Sequence, residues 1–117
     1  MKTILLAEDD SFIADIYATQ LKKAGYRVDV AKDGEQALEK TRQTHPDLLV
    51  LDLVMPKLDG WQVLAEIRKD PAIQDTKVIV TSNLDQEAGH KNAEKFGVLK
   101  YFLKVETPTE ELIQTVS

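Results

Sequence analysis

Three uninterrupted apolar runs punctuate the chain: Ile4-Leu5-Leu6-Ala7, Leu48-Leu49-Val50-Leu51 and Val78-Ile79-Val80. Each is too short for a helix and too uniformly apolar for a strand with one wet face, so they predict parallel strands covered on both sides. Tyr26-Arg27-Val28-Asp29-Val30 alternates instead, and Val98-Leu99-Lys100-Tyr101-Phe102-Leu103 carries a lysine inside an apolar run. Both suit the edges of such a sheet. Between these runs, apolar residues recur three and four positions apart: Ile13, Ile16, Tyr17, Leu21 and Ala24, then Ala37, Leu38 and Thr41, then Gly60, Val63, Leu64 and Ile67. Each set predicts an amphipathic helix. A fourth helix is expected over 85–96, with Ala88, Asn92, Ala93 and Phe96 as its inner face. Gly89 in its middle costs up to about 1 kcal/mol relative to Ala, which makes it the most weakly held. Thr107 as N-cap, Pro108 as first helical residue and Glu110 as capping-box partner open a short final helix with Leu112, Ile113 and Val116 inward.

Strand and helix thus alternate five times, and short right-handed crossovers leave few topologies. The expectation is an α/β fold with a doubly wound, five-stranded parallel sheet of order 2-1-3-4-5. At 117 residues, without repeats, low-complexity tracts or a linker, the chain reads as one domain over residues 1–117. Composition removes several classes of function. Cysteine is absent and there are two isolated histidines, which excludes disulfides, thiolate chemistry and a zinc site. A net charge of −5 argues against nucleic acid as the direct partner. No apolar run approaches the roughly 20 residues of a membrane span, and the N-terminal apolar stretch runs at once into Glu8-Asp9-Asp10 rather than a cleavage site. The expected location is the cytoplasm.

In a doubly wound sheet, ligands bind beyond the carboxyl ends of the strands, near the point where strand order reverses. After the first strand come Glu8, Asp9 and Asp10; the third ends at Asp52, the fourth at Thr81-Ser82 and the fifth at Lys104. Carboxylates gathered on one rim oppose one another's ionisation, and a hard divalent cation relieves that cost. Oxygen-only ligands favour Mg²⁺ or Mn²⁺. Asp10 has two readings, a further member of this cluster or a helix cap before Ser11-Phe12-Ile13.

These residues carry a resemblance. Leu5-Leu6-Ala7-Glu8-Asp9-Asp10, Pro46-Asp47-Leu48 through Asp52 to Met55-Pro56, Asp59-Gly60, Thr81-Ser82 and Tyr101-Phe102-Leu103-Lys104 are similar, in order and spacing, to the receiver domain of bacterial two-component response regulators. The resemblance implies a flavodoxin-like fold of the chemotaxis single-domain type. It also implies a switch rather than a turnover enzyme, in which Asp52 accepts a phosphoryl group from a sensor histidine kinase or phosphotransfer protein. Mg²⁺ would be held by Asp9, Asp52 and the Val54 backbone carbonyl, with Glu8 acting through water. Lys104 would supply positive charge, Thr81 would turn inward toward the phosphoryl group, Tyr101 would change rotamer, and the face of the fourth helix and fifth strand would present an altered surface to a downstream partner. In the family geometry, Val54 and Asn83 flank the approach of a hydrolytic water.

One position departs from the family: the usual Lys-Pro is Lys104-Val105 here. A cis bond before a non-proline residue costs about 3 kcal/mol, so the aim of Lys104 is open between a strained cis and a trans bond. A misaimed Lys104 would favour a different class of function, a receiver-like interaction module that is not controlled by phosphorylation. An aspartyl phosphatase would want a second Asp two residues after the nucleophile, where this chain has Val54. Trp61 is expected core-facing or half-buried at the start of the third helix, His45 in a loop, and neither His45 nor His90 in the chemistry. Residues 1–117 hold no output domain, and a stand-alone regulator and a receiver cut from a longer protein are both expected forms.

Overall fold

The computed structural model describes residues 2–82, 95–98 and 100–103, and the final helix expected from Thr107 lies outside them, as does most of the fourth. The elements follow the predicted alternation: β1 Thr3–Ala7, α1 Ser11–Lys23, β2 Arg27–Ala31, α2 Gly34–Thr44, β3 Leu48–Asp52, α3 Gly60–Lys69, β4 Val78–Ser82 and β5 Lys100–Leu103. The strands form one parallel sheet of order β2-β1-β3-β4-β5, with the alternating strand and the lysine-bearing strand at its edges as expected.

The uniform apolar runs are explained by burial on both faces. On one side Leu5, Ala7, Leu49, Leu51, Val78 and Val80 meet Ala37 and Leu38 of α2 and Val63, Leu64 and Ile67 of α3. On the other, Ile4, Leu6, Val50 and Ile79 meet Ala14, Ala18 and Leu21 of α1. Alternate residues of each strand thus enter opposite layers, which only an unbroken apolar run can supply.

The inner face of α1 differs from the one its spacing predicts. Ile16 is 42% exposed and Ala24 is exposed at the C-cap, whereas Ala14 and Ala18 are buried beside Leu21, with Ile13 and Tyr17 half-buried. Ala14, Ala18 and Leu21, spaced four and three apart, form the face that packs on the sheet, and Ile16 is turned to solvent.

Arg68 binds three chain segments together. Its guanidinium group donates to the carbonyls of Gln74 (2.9 Å) and Thr76 (2.7 Å), between α3 and β4, and to that of Phe96 (2.8 Å). Burial pulls its pKa below the usual arginine value, against the raising influence of Asp75. Trp61 is half-buried, one of its two expected settings, and stacks on the Phe96 ring with centroids 6.1 Å apart. Removing the guanidinium in Arg68→Ala leaves three carbonyls without their donor and is expected to destabilise the fold by about 1.5 kcal/mol. A urea transition with a lower midpoint and unchanged slope would show it; an unchanged midpoint would mean that water replaces the arginine without loss.

Candidate functional site: an acidic rim beyond the strand ends

Parallel pairing brings the carboxyl ends of β1, β3 and β4 side by side. Glu8 follows β1 directly, and its N–H continues the ladder to the Ala31 carbonyl at 2.9 Å, which fixes the backbone at the rim. Asp52 is the last residue of β3, in register with Thr81 on β4. The Leu53 N–H donates to the Thr81 carbonyl at 3.1 Å, so the ladder extends one residue past Asp52. The Asp52 side chain is thereby held on a rigid strand end, 4% exposed, and its Oδ1 accepts from the Val54 N–H at 3.2 Å.

Glu8, Asp9 and Asp52 each bring a carboxylate oxygen within 4.8 Å of the others; Glu8 and Asp52 are buried and Asp9 is exposed. Like charges this close repel one another. A bound cation would offset that repulsion. The donor set fits a hard divalent ion: three carboxylates from two adjacent strand ends, no nitrogen or sulfur, and one ligand open to solvent.

Asp10, by contrast, is occupied as the N-cap of α1. Its Oδ1 accepts from the N–H groups of Phe12 (2.9 Å) and Ile13 (3.2 Å), which resolves its two readings in favour of the cap. Thr81 is buried at the end of β4 beside Asp52, and Val54, two residues beyond Asp52, is 62% exposed. Tyr101 lies one strand further out, in register with Val80. Lys104, Asn83 and His90 lie outside the described residues. His45 has a more definite place than a loop: it caps the C-terminus of α2 in the left-handed conformation, φ 45°, with its N–H bonded to the Thr41 carbonyl.

Two groups beside the rim escape a reading of the chain by hydrophobic period. Asp33 caps α2 and accepts from the Gln36 N–H at 2.8 Å; Asp59 and Gln62 form a reciprocal capping box at the start of α3. The signal for both is an Asp followed three residues later by Gln. Lys57, between β3 and α3, holds φ 70° and reaches Asp33 (3.8 Å) and Glu35 (3.7 Å). No sequence pattern marks it.

Among the described residues, no helix is long and apolar enough to cross a membrane. Residues 4–117 match the family model of the response regulator receiver domain. The chain is 38% identical over 107 residues to the probable transcriptional regulator ycf27 of Guillardia theta, an alignment covering 92% of this chain and 41% of that protein. It therefore spans about two-fifths of the length of this curated relative. Among solved structures, the receiver domain of a Francisella response regulator superposes with a TM-score of 0.91 at 34% identity, covering 99% of this chain and 93% of that one. The response regulator TrrA of Thermotoga maritima, solved in complex with Mg²⁺ and BeF, gives 0.86 at 31% identity over 99% of this chain and 96% of its own. A buried carboxylate at a strand end, an acidic cluster beside it, the 2-1-3-4-5 sheet and a family match over nearly the whole chain agree, and the chain belongs to the receiver-domain family of two-component response regulators.

Proposed function

We propose that residues 1–117 act as one cytoplasmic receiver domain in which Asp52 accepts a phosphoryl group from a sensor histidine kinase or phosphotransfer protein. The observation that carries this reading is the convergence of Glu8, Asp9 and Asp52 at the rim, with the Asp52 carboxylate buried at the end of a central strand. A carboxylate oxygen of Asp52 attacks phosphorus as the bond to the donor imidazole nitrogen breaks, and the product is an acyl phosphate. Both reactants carry negative charge, so positioning and charge neutralisation dominate the barrier.

Asp9, Asp52 and the Val54 carbonyl would hold Mg²⁺, with Glu8 at one remove. Bound there, the ion supplies positive charge to the phosphoryl oxygens. Lys104 is assigned the second positive charge. Thr81, already beside Asp52 in the sheet register, offers a hydroxyl donor to a phosphoryl oxygen that exists only after transfer. That new bond biases the equilibrium toward an inward Thr81, a changed Tyr101 rotamer and an altered face on the fourth helix and β5, where a downstream protein or output domain binds. The chain catalyses its own phosphorylation and slow dephosphorylation and turns over no separate substrate.

The metal site is tested by titrating Mg²⁺ while following Trp61 fluorescence and the backbone amide shifts around Val54. The parent protein should respond at millimolar Mg²⁺. Asp9→Asn, which removes one charge from an exposed position, should weaken binding by about tenfold. Silence of both signals in the parent would sink the assignment.

A further inference from the structure

Val54 enters the proposed site through its backbone, and a backbone oxygen is placed by the loop that carries it. Residues 53–59 join β3 to α3, and their own bonds close the loop at its root: the Gly60 N–H donates to the Leu53 carbonyl at 2.9 Å and the Leu58 N–H to the Pro56 carbonyl at 2.9 Å. Gly60 must be small, since a Cβ there would stand 2.8 Å from Leu53 Cα and 2.9 Å from the Asp52 carbonyl oxygen.

The outer half of the loop rests on a different element. Gly34, the first residue of α2, donates its N–H to the same Pro56 carbonyl at 3.2 Å. A Cβ on Gly34 would overlap the Leu58 carbonyl oxygen and lie 2.7 Å from its carbonyl carbon, so two backbones are in direct contact. Asp33 is fixed by its capping bond to Gln36, and Lys57 bridges from the loop to Asp33 and Glu35. The bridge is long, and Lys57 and Glu35 are largely exposed, so the backbone contact outweighs it.

We propose that the start of α2, chiefly Gly34, is a positioning element for the metal site, setting the loop so that the Val54 carbonyl faces the Asp9 and Asp52 carboxylates. The inference rests on the Mg²⁺ reading above. It makes α2, which contributes no ligand, a determinant of ion affinity. By reciprocity, bound Mg²⁺ must in turn tighten the loop against Gly34.

Two measurements test it. In the parent protein, saturating Mg²⁺ should slow hydrogen exchange of the Gly34 amide, because the bond to Pro56 is drawn into the coupled unit. Gly34→Ala should raise the Mg²⁺ dissociation constant, read from amide shifts, by about tenfold. Gly25→Ala is the control for general destabilisation: Gly25 has φ 100° and open space around it, so a Cβ strains the backbone without touching the rim. That variant and Lys57→Gly, which removes the bridge while suiting the left-handed backbone, should both stay within about twofold of the parent. A parent that ignores Mg²⁺ overturns the metal site itself. A parent that binds, with equal affinity in Gly34→Ala or equal weakening in Gly25→Ala, overturns the positioning role alone. If Gly34→Ala does not fold, Gly34 exchange unchanged by saturating Mg²⁺ in the parent decides against it.

Discussion

Asp52→Asn is expected to abolish the phosphoryl adduct that the parent protein forms with acetyl phosphate and Mg²⁺. The carboxylate is the nucleophile, and an amide of the same shape lacks the negative charge that makes an oxygen lone pair available for bonding to phosphorus. Structure should survive the change. Asp52 is 4% exposed, its Oδ1 accepts from the Val54 N–H, and the Asn side-chain carbonyl can accept that bond. Removing one of three clustered carboxylates also relieves repulsion, so the variant is expected to be no less stable than the parent. Intact mass before and after mild alkaline hydrolysis reads the adduct as an acyl phosphate. An adduct that persists in the Asn variant would move the acceptor to Glu8 or Asp9. No adduct in a parent that binds Mg²⁺ would instead favour a receiver-like interaction module.

The parts of the fold legible in the sequence are those set by burial along a single element. Ile4 to Ala7, Leu48 to Leu51 and Val78 to Val80 can only be strands with two dry faces, and the order of the sheet follows from short right-handed connections. Once strand ends are known, Glu8, Asp52 and Thr81 fall on one rim without further information. Local sequence fails where a choice depends on what lies across a gap. Ile16 and Ala18 compete for the inner face of α1, and packing against the sheet takes the face of Ala14, Ala18 and Leu21. Asp10 has a cluster to one side and a helix start to the other, and two backbone N–H groups decide for the cap. Gly34 and Leu58 touch across 24 positions of chain, and Lys57 takes a left-handed backbone in the loop between them; no period or spacing encodes that contact. Lys104 lies outside the described residues, and its role rests on the resemblance, from which the neighbouring Val105 departs.

Val54→Asn is expected to shorten the life of the phosphorylated state by about thirtyfold, which corresponds to lowering the hydrolytic barrier by about 2 kcal/mol. Hydrolysis of the acyl phosphate needs a water in line with the bond to Asp52. By resemblance to the family, Val54 and Asn83 flank its approach. Val54 is 62% exposed while its N–H is tied to the Asp52 carboxylate, so it stands in the open beside the site on a backbone held to Asp52. A valine in that place can neither donate to nor accept from the water, which leaves orientation to the neutral amide of Asn83. Asparagine is close to valine in volume, and its amide adds a hydrogen-bond partner beside the attacking water. Exposure keeps the exchange from disturbing the core. Access does not account for the same result, since Val54→Ala opens the approach further without adding a polar group and should leave the rate within about threefold of the parent. The proteins are phosphorylated, separated from the donor on a desalting column and followed by intact mass over time. Decay in Val54→Asn equal to or slower than in the parent would refute the role of this position, and an alanine variant as fast as the asparagine one would assign the limit to access instead.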